Sequence, residues 1–135
     1  MLKPETFDLL GFTHYWGRSR RGLWVIKRKT AKDRYCRSLA NIKHWCRQHR
    51  HDSLGDQHRA LSRKLIGHYG YYGITGNSRA LNRFRHRVER MWLKWLGRRS
   101  QRARFTWERA EQLLERYPLP PARVVHSVYR SRAKL

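Results

Sequence analysis

The sequence predicts a mainly α-helical protein with a small β part: an N-terminal β-hairpin, a three-helix bundle and a short C-terminal helix. Apolar residues recur every three or four positions over three long segments, as they do on one face of a helix. Before these segments, two runs of aromatic and β-branched residues flank a turn bounded by glycines, which is the pattern of a hairpin. A chain of 135 residues is long enough for one domain, or for two small lobes that share a core.

The hairpin is predicted over residues 7–29. Apolar positions from Phe7 to Tyr15 form its first strand, residues 17–22 form the turn, and residues 23–26 return. The turn carries three arginines, which suit either a solvated loop tip or a contact with phosphates. The sequence leaves both interpretations open.

The first helix is predicted from a cap at Thr30 to about His49. Its apolar residues step by four, three and four onto one stripe, which consists of Tyr35, Leu39, Ile42 and Cys46. Basic residues cover the other sides, and Asp33 is the only acidic residue of the helix, so ion pairs within the helix cannot neutralise them. The candidate contacts with an anionic partner on this helix are Lys32, Arg37, Lys43 and Arg47.

The second helix begins at a capping-box-like pair, Ser53 and Asp56, and its stripe contains Leu54, Leu61, Leu65 and Tyr72. It ends in the segment 67–77, which places four glycines among three tyrosines. Glycine disfavours helix continuation and lets another backbone or a ligand approach closely. Tyr69 and Tyr71 are therefore candidates to stack on a base or sugar, with core packing as the alternative for either.

The third helix is predicted from about Ser78 to Leu96. One side is expected to bury Leu81, Phe84, Val88, Trp92 and Trp95, and the opposite side carries Arg79, Arg83, Arg90 and Lys94. At 1.5 Å per residue this basic stripe extends about 22 Å along the helix axis, enough to follow several phosphates. Solvated helix faces usually mix charges, so the single sign favours a binding face.

A basic linker follows, and Arg98, Arg99 and Arg102 in it are further candidate contacts with an anionic partner. Thr106 is predicted to cap a short helix that the prolines after Tyr117 end. The remainder, 123–135, resembles an extended basic tail. The predicted boundaries are thus 1–29 for the hairpin, 30–97 for the helical bundle and 98–135 for the linker, short helix and tail.

The composition points to a polyanionic partner. The formal net charge is +23, and arginine outnumbers lysine by 24 to 8. Arginine forks onto phosphate and stacks on rings, which an ammonium group cannot do, so nucleic acid is the expected partner. No apolar run approaches the roughly 18 residues that a membrane span needs, and no membrane partner is expected. Cys36 and Cys46 lie too far apart on one helix for a disulfide, which fits a reducing cytoplasm.

Catalytic and cofactor motifs are not found in the sequence. Two-metal catalysis needs a close pair of carboxylates, whereas Asp8, Asp52 and Asp56 suit caps and solvated positions. Cys46 with the histidines at 49 and 51 lacks a fourth zinc ligand. We therefore expect no catalytic residue, no metal and no cofactor in this chain.

Three segments carry a family resemblance. Thr6 to His14, the Gly-Tyr run Gly67 to Asn77, and Trp92 to Leu96 followed by Arg98-Arg99-Ser100 resemble the C-terminal part of group II intron reverse transcriptases, which are also called maturases. The resemblance covers nearly the whole chain, and Gly-Tyr-Tyr-Gly-Ile-Thr-Gly-Asn is its most specific element. It implies that Leu10-Gly11-Phe12 closes the palm, that residues 30–97 form the thumb or maturase domain, and that residues 106–127 resemble the DNA-binding region.

The resemblance implies a function in binding. A thumb of that family grips intron RNA, supports its splicing-competent fold and cradles template-primer duplex, and some members also bind a DNA target. The fingers and palm with the catalytic carboxylates do not appear in this sequence, so we expect no polymerase activity from the chain alone. Two alternatives stay open: half of a split RNA-directed DNA polymerase that needs a separate fingers-palm polypeptide, and a non-functional relic of a mobile intron.

Overall fold

A computed structural model describes residues 6–99 and 105–126. Within these residues, three strands precede four helices. They are β1 (Phe7–Leu9), β2 (Phe12–Arg18), β3 (Trp24–Thr30), α1 (Lys32–Gln48), α2 (Leu54–Tyr72), α3 (Ser78–Leu96) and α4 (Trp107–Arg116). This order confirms the predicted fold class of a small N-terminal β part followed by helices. None of the described helices is long and apolar enough to cross a membrane.

The sheet is antiparallel, with the strand order β1-β2-β3. The β2–β3 hairpin was predicted, but the single lead-in strand was wrong because the chain turns back at Leu10-Gly11. Both residues have positive φ, 53° and 85°, as a tight two-residue hairpin turn requires. Leu9 therefore pairs with Phe12, and Phe7 pairs with His14.

The start of α1 differs from the prediction. Thr30 does not cap the helix, because it is still in β3, where it pairs with Phe12. Ala31 is the N-cap and supplies no side-chain hydrogen bond. Thr30 is buried and is bonded to Asn77, which lies 47 residues further along the chain.

The other two predicted caps are confirmed. The Asp56 backbone N–H donates to Ser53 Oγ at 3.2 Å at the start of α2. At the start of α4, the Arg109 backbone N–H donates to Thr106 Oγ1 at 3.3 Å. Each bond satisfies one of the amide groups that a helix leaves unpaired at its N-terminus.

The core lies among α1, α2 and α3. Tyr35 in the first turn of α1 contacts Phe84 near the start of α3. The C-terminal ends of the same two helices line one cleft. The two helices therefore run in the same direction. Trp95 was predicted to be buried but is only half-buried, because the stripe continues from Trp92 in a step of four to Leu96. The buried apolar side chains of the cluster are Ile42, Cys46, Leu61, Leu65, Tyr69, Leu81, Phe84, Val88, Trp92, Leu96 and Leu119.

The segment after α4 packs on the bundle. Leu119 is 2% exposed within the core, and the Val125 and His126 backbone N–H groups both donate to the Gly73 carbonyl at 2.8 Å. The prediction of a tail from Arg123 onward was therefore wrong for residues 123–126, which are held against the end of α2. The rest of that predicted tail lies outside the described residues.

Gly73 explains part of the glycine-tyrosine run. A Cβ at this position would lie 2.2 Å from the Tyr69 carbonyl oxygen and 2.6 Å from that of Arg123. No side chain fits at such distances, so glycine allows the backbone of the C-terminal segment to pass against α2. Gly67 and Gly70 have no such neighbour within 4 Å.

Candidate nucleic-acid interface

The basic residues of α1 are displayed by the burial of its opposite stripe. Ile42 and Cys46 are buried against the core. The helix therefore turns Lys32, Arg37, Lys43 and Arg47 outward, and all four are exposed. Burial of the apolar stripe thus sets the direction of these cations.

The same relationship holds on α3. Leu81, Phe84, Val88 and Trp92 are buried, and all are 2% exposed or less. The four candidate cations on the opposite side, Arg79, Arg83, Arg90 and Lys94, are all exposed. Since α1 and α3 pack side by side and run in the same direction, their basic faces can meet at one end of the bundle.

They meet in an open cleft with a volume of about 560 Å³, which we call the cationic cleft. Three of its residues come from the C-terminal part of α1 and the residue just after its cap, and three come from the end of α3 and the residues that follow. The lining residues are Lys43, Arg47, Arg50, Lys94, Trp95 and Arg98. Five cations thus surround one aromatic ring, and no acidic residue of the described chain lines the cleft.

Trp95 and Arg50 are the two cleft residues that the sequence analysis did not assign to binding. Trp95 is half-buried, and the Arg98 guanidinium lies over its ring in a cation–π contact, 5.1 Å from the ring centroid. Its indole N–H has no hydrogen-bond partner among the described residues. Arg50 is held by a bond from Nη1 to the Arg47 carbonyl at 2.9 Å. The buried stripe of α3 passes from Trp92 to Leu96, and Trp95 lies one position before Leu96. This offset is the feature of the sequence that could have predicted a partly exposed Trp95.

Not every predicted contact lies in the cleft. Lys32 and Arg37 belong to the first half of α1, and Arg79 and Arg83 to the first half of α3, so both pairs lie toward the other end of the bundle. Arg99 is half-buried, and its Nη2 donates to the Asp52 carbonyl at 3.0 Å, which fastens the end of α3 to the α1–α2 loop. Arg102 lies outside the described residues.

Two other arginines are occupied by structural contacts. Arg85 donates from Nη2 to the Leu119 carbonyl at 3.1 Å and from Nε to the Pro120 carbonyl at 3.2 Å, and it lies 3.9 Å from the Glu89 carboxylate. Arg59 pairs with Asp56 on the surface of α2. Arg85 thus holds the segment after α4 on the bundle, and Arg59 has a local carboxylate partner, whereas neither lines the cationic cleft.

The two tyrosines considered for base stacking differ in exposure. Tyr69 is 2% exposed, and its hydroxyl donates to the Pro120 carbonyl at 2.9 Å, so core packing is its role and stacking is excluded in this fold. Burial raises the pKa of Tyr69 to about 12. Tyr71 is 53% exposed, yet its ring stacks on Phe12 and its hydroxyl donates to the Leu10 carbonyl at 2.6 Å.

Cys46 is a core thiol. It is 3% exposed, and burial raises its pKa to about 12, which keeps the sulfur protonated at neutral pH. The imidazole of His49 stacks on Trp45, with ring centroids 4.6 Å apart. Among the described residues, no group of three or more His, Cys, Asp or Glu side chains is placed to hold a metal ion.

The fold and the cationic cleft define a small module in which a three-stranded sheet precedes a helical bundle whose α1 and α3 carry exposed basic faces that meet in one cleft. Residues 36–113 match the group II intron maturase-specific domain. Because this match covers more than half of the chain, the protein belongs to that family, as the resemblance of three segments to the C-terminal part of group II intron maturases predicted. No curated protein matches, and no solved structure matches.

Proposed function

We propose that the chain binds group II intron RNA through the cationic cleft and the basic faces of α1 and α3, and thereby supports splicing of the intron. The observation that carries the proposal is the convergence in one cleft of five cations from the ends of α1 and α3 and the residues just after them, all within the family-matched residues. In this proposal the chain acts as a thumb-like binding module and performs no polymerase chemistry of its own.

The cleft suits a phosphodiester backbone. Arg47, Arg50 and Arg98 supply planar guanidinium groups that bond two phosphate oxygens at once, while Lys43 and Lys94 act as point charges. Its openness admits a polymer that enters and leaves, whereas a small anion would leave most of the cations without a counter-charge. Charge contacts of this kind would also serve a template-primer duplex or a DNA target, because they do not distinguish the sugar.

The test is a charge reversal with a matched control. Arg47→Glu with Lys94→Glu removes cations of the cleft, and Arg63→Glu with Arg116→Glu changes the net charge equally at exposed positions on α2 and α4. Binding of a folded group II intron transcript is measured by filter retention at one fixed salt concentration. We expect the cleft variant to lose at least about tenfold in affinity, since two phosphate contacts become repulsive. Equal losses in both variants would reject the cleft as the binding site.

A second candidate function is supported by the sheet. On one face, Trp16 pairs with Ile26 and Arg18 pairs with Trp24, and the three apolar members are 43% to 54% exposed. Leu10 adds a 75% exposed side chain at a positive φ, where asparagine or glycine would be less strained. An exposed apolar sheet face of this kind is the feature expected of a piece that docks on a separate fingers-palm polypeptide.

In that proposal the chain is one half of a split reverse transcriptase. Mixing it with a fingers-palm polypeptide encoded by the same genome should restore primer extension on an RNA template. Trp16→Lys with Trp24→Lys should abolish the restored activity but leave intron binding by the cleft unchanged. Restored activity that survives both substitutions would remove the sheet face from the proposal.

A further inference from the structure

Trp107 has a large apolar side chain that is exposed and makes no contribution to the packing of its helix against the core. It is the first residue of α4 and is 75% exposed, whereas Ala110 in the same helix is 4% exposed. Leu113, Leu114 and Tyr117 complete the packed side of α4 against the core. The helix is therefore anchored without Trp107, and its indole ring is left on the surface at a cost in apolar exposure.

A groove between α3 and α4 runs beside this ring. It has a volume of about 250 Å³, and we call it the α3–α4 groove. Its lining combines an apolar floor with a cationic rim on α3. The lining residues are Arg90, Leu93, Lys94, Phe105, Thr106, Trp107 and Ala110. A planar aromatic ligand that carries negative charge at one edge matches this arrangement.

The α3–α4 groove adjoins the cationic cleft. Lys94 lines both, so a chain of phosphates held in the cleft passes within reach of the groove. The acidic residues near the start of α4, Glu108 and Glu111, are exposed but do not line the groove. The positive charge therefore lies on the α3 side, and the phosphates of a ligand are expected there.

These contacts favour a nucleotide over an apolar protein segment. An apolar segment would cover Trp107 and Phe105 but would leave Arg90 and Lys94 beside it without counter-charges. A nucleotide supplies both a ring for the indole and phosphates for the two cations. Bases inside a regular duplex are stacked on their neighbours, so only an unpaired base can place its face on Trp107.

We propose that the α3–α4 groove binds an unpaired nucleobase of RNA, which stacks on Trp107 while its flanking phosphates contact Arg90 and Lys94. The inference rests on the proposed RNA-binding function and adds to it a preference for bulged or single-stranded nucleotides. It makes Trp107 a binding residue that charge patterns in the sequence do not reveal.

The test uses two RNA hairpins of equal length and charge that share one compact tetraloop, one with a fully paired stem and one with a single bulged 2-aminopurine in the stem. Anisotropy of an end label reports affinity, and quenching of 2-aminopurine reports stacking. We expect the protein to prefer the bulged hairpin and to quench its fluorescence. Trp107→Ala should lose at least about fivefold in affinity for the bulged hairpin, the lower limit for one base-aromatic stack, and should keep its affinity for the paired one. Trp107→Phe should retain most of the preference.

The outcomes separate this inference from the proposed function. Unchanged affinity of Trp107→Ala for the bulged hairpin, or an equal loss on both hairpins, would overturn base stacking at Trp107. The variant Lys43→Glu with Arg47→Glu changes residues that line the cationic cleft but not the α3–α4 groove. It should weaken binding to both hairpins, and absence of that effect would overturn the proposed function instead. Far-ultraviolet circular dichroism is the check on folding, and we expect unchanged spectra for the Trp107 variants because this side chain is 75% exposed.

Discussion

Asn77 holds Thr30 with both polar atoms of its side chain. Its Oδ1 accepts from the Thr30 backbone N–H, and its Nδ2 donates to Thr30 Oγ1, each at 2.9 Å. The same Nδ2 donates to the Tyr72 carbonyl at 2.8 Å. Asn77 is 1% exposed, so these bonds are made away from water. One amide therefore joins the end of β3, the end of α2 and the start of α3, and fixes the sheet relative to the helices.

Asn77→Ala should destabilise the fold. The substitution leaves the Thr30 amide and the Thr30 hydroxyl buried without their partner, and the Tyr72 carbonyl keeps only its bond from the Ile74 backbone N–H. We therefore expect a loss of about 2 to 3 kcal/mol in the free energy of unfolding. Urea unfolding followed by circular dichroism measures it. Asn82→Ala, at an exposed position in α3, is the control and should change stability by less than about 0.5 kcal/mol. Similar losses at both positions would contradict the assigned role of Asn77.

Local sequence patterns were sufficient to predict the helices. They did not predict contacts between residues that are distant in the sequence. The stripes of α1 and α3 and the caps at Ser53 and Thr106 depend on residues three or four positions apart, which the sequence displays directly. Thr30 looked like a helix cap because its partner Asn77 lies 47 residues away. The Leu10-Gly11 turn was missed because leucine is an unusual residue at positive φ.

Gly73→Ala should release the C-terminal segment from α2. The new Cβ would overlap the carbonyl oxygens of Tyr69 and Arg123, at 2.2 and 2.6 Å, so the bonds from Val125 and His126 to Gly73 cannot survive. We expect lower thermal stability and faster trypsin cleavage after Arg123. Gly70→Ala is the matched control, because it is exposed in α2 with nothing within 4 Å, and it should raise stability by up to about 1 kcal/mol through helix propensity. Unchanged cleavage in Gly73→Ala would contradict this role of the glycine.

The candidate site was predictable as a list of cations but not as a surface. Exposure of the basic residues on α1 and α3 follows from the burial of their opposite stripes. The pairing of α1 with α3 decides which of these cations meet, and no pattern within one helix encodes that pairing. Basic patterns in the sequence also do not distinguish binding residues from structural ones. Arg85 and Arg99 both belong to basic runs, yet both donate to backbone carbonyls of the fold.

His68 should make stability depend on pH. Its ring stacks on Phe84 at 3.7 Å, and burial lowers its pKa to about 4. In the unfolded chain the value is about 6.5, so between these two values the unfolded state binds a proton that the folded state does not. Stability is therefore fully present above about pH 6.5 and falls, by up to about 1.4 kcal/mol per pH unit, as the pH decreases toward 4.

His68→Phe should remove this component while keeping a ring against Phe84. Urea unfolding at about pH 7 and about pH 5 should show a smaller loss of stability for the variant than for the unmodified protein. His44→Gln, at an exposed position on α1, is the control and should keep the full pH dependence. Identical pH dependence in His68→Phe and the unmodified protein would show that another group is responsible.

Salt dependence should count the phosphates that the basic surface neutralises. If the cationic cleft and its flanking faces contact about six phosphates, the logarithm of affinity for intron RNA should fall with the logarithm of salt concentration with a slope of roughly −4 to −5. Each lost contact reduces the slope by about 0.7 to 0.9, so Arg79→Glu with Arg83→Glu should flatten it by about 1.5 if both residues contact RNA. Both are exposed on α3 outside the cleft, so the substitution tests whether the RNA path continues along the helix. An unchanged slope in this variant would confine the bound RNA to the cleft, and a nearly flat slope in the unmodified protein would contradict phosphate contacts altogether.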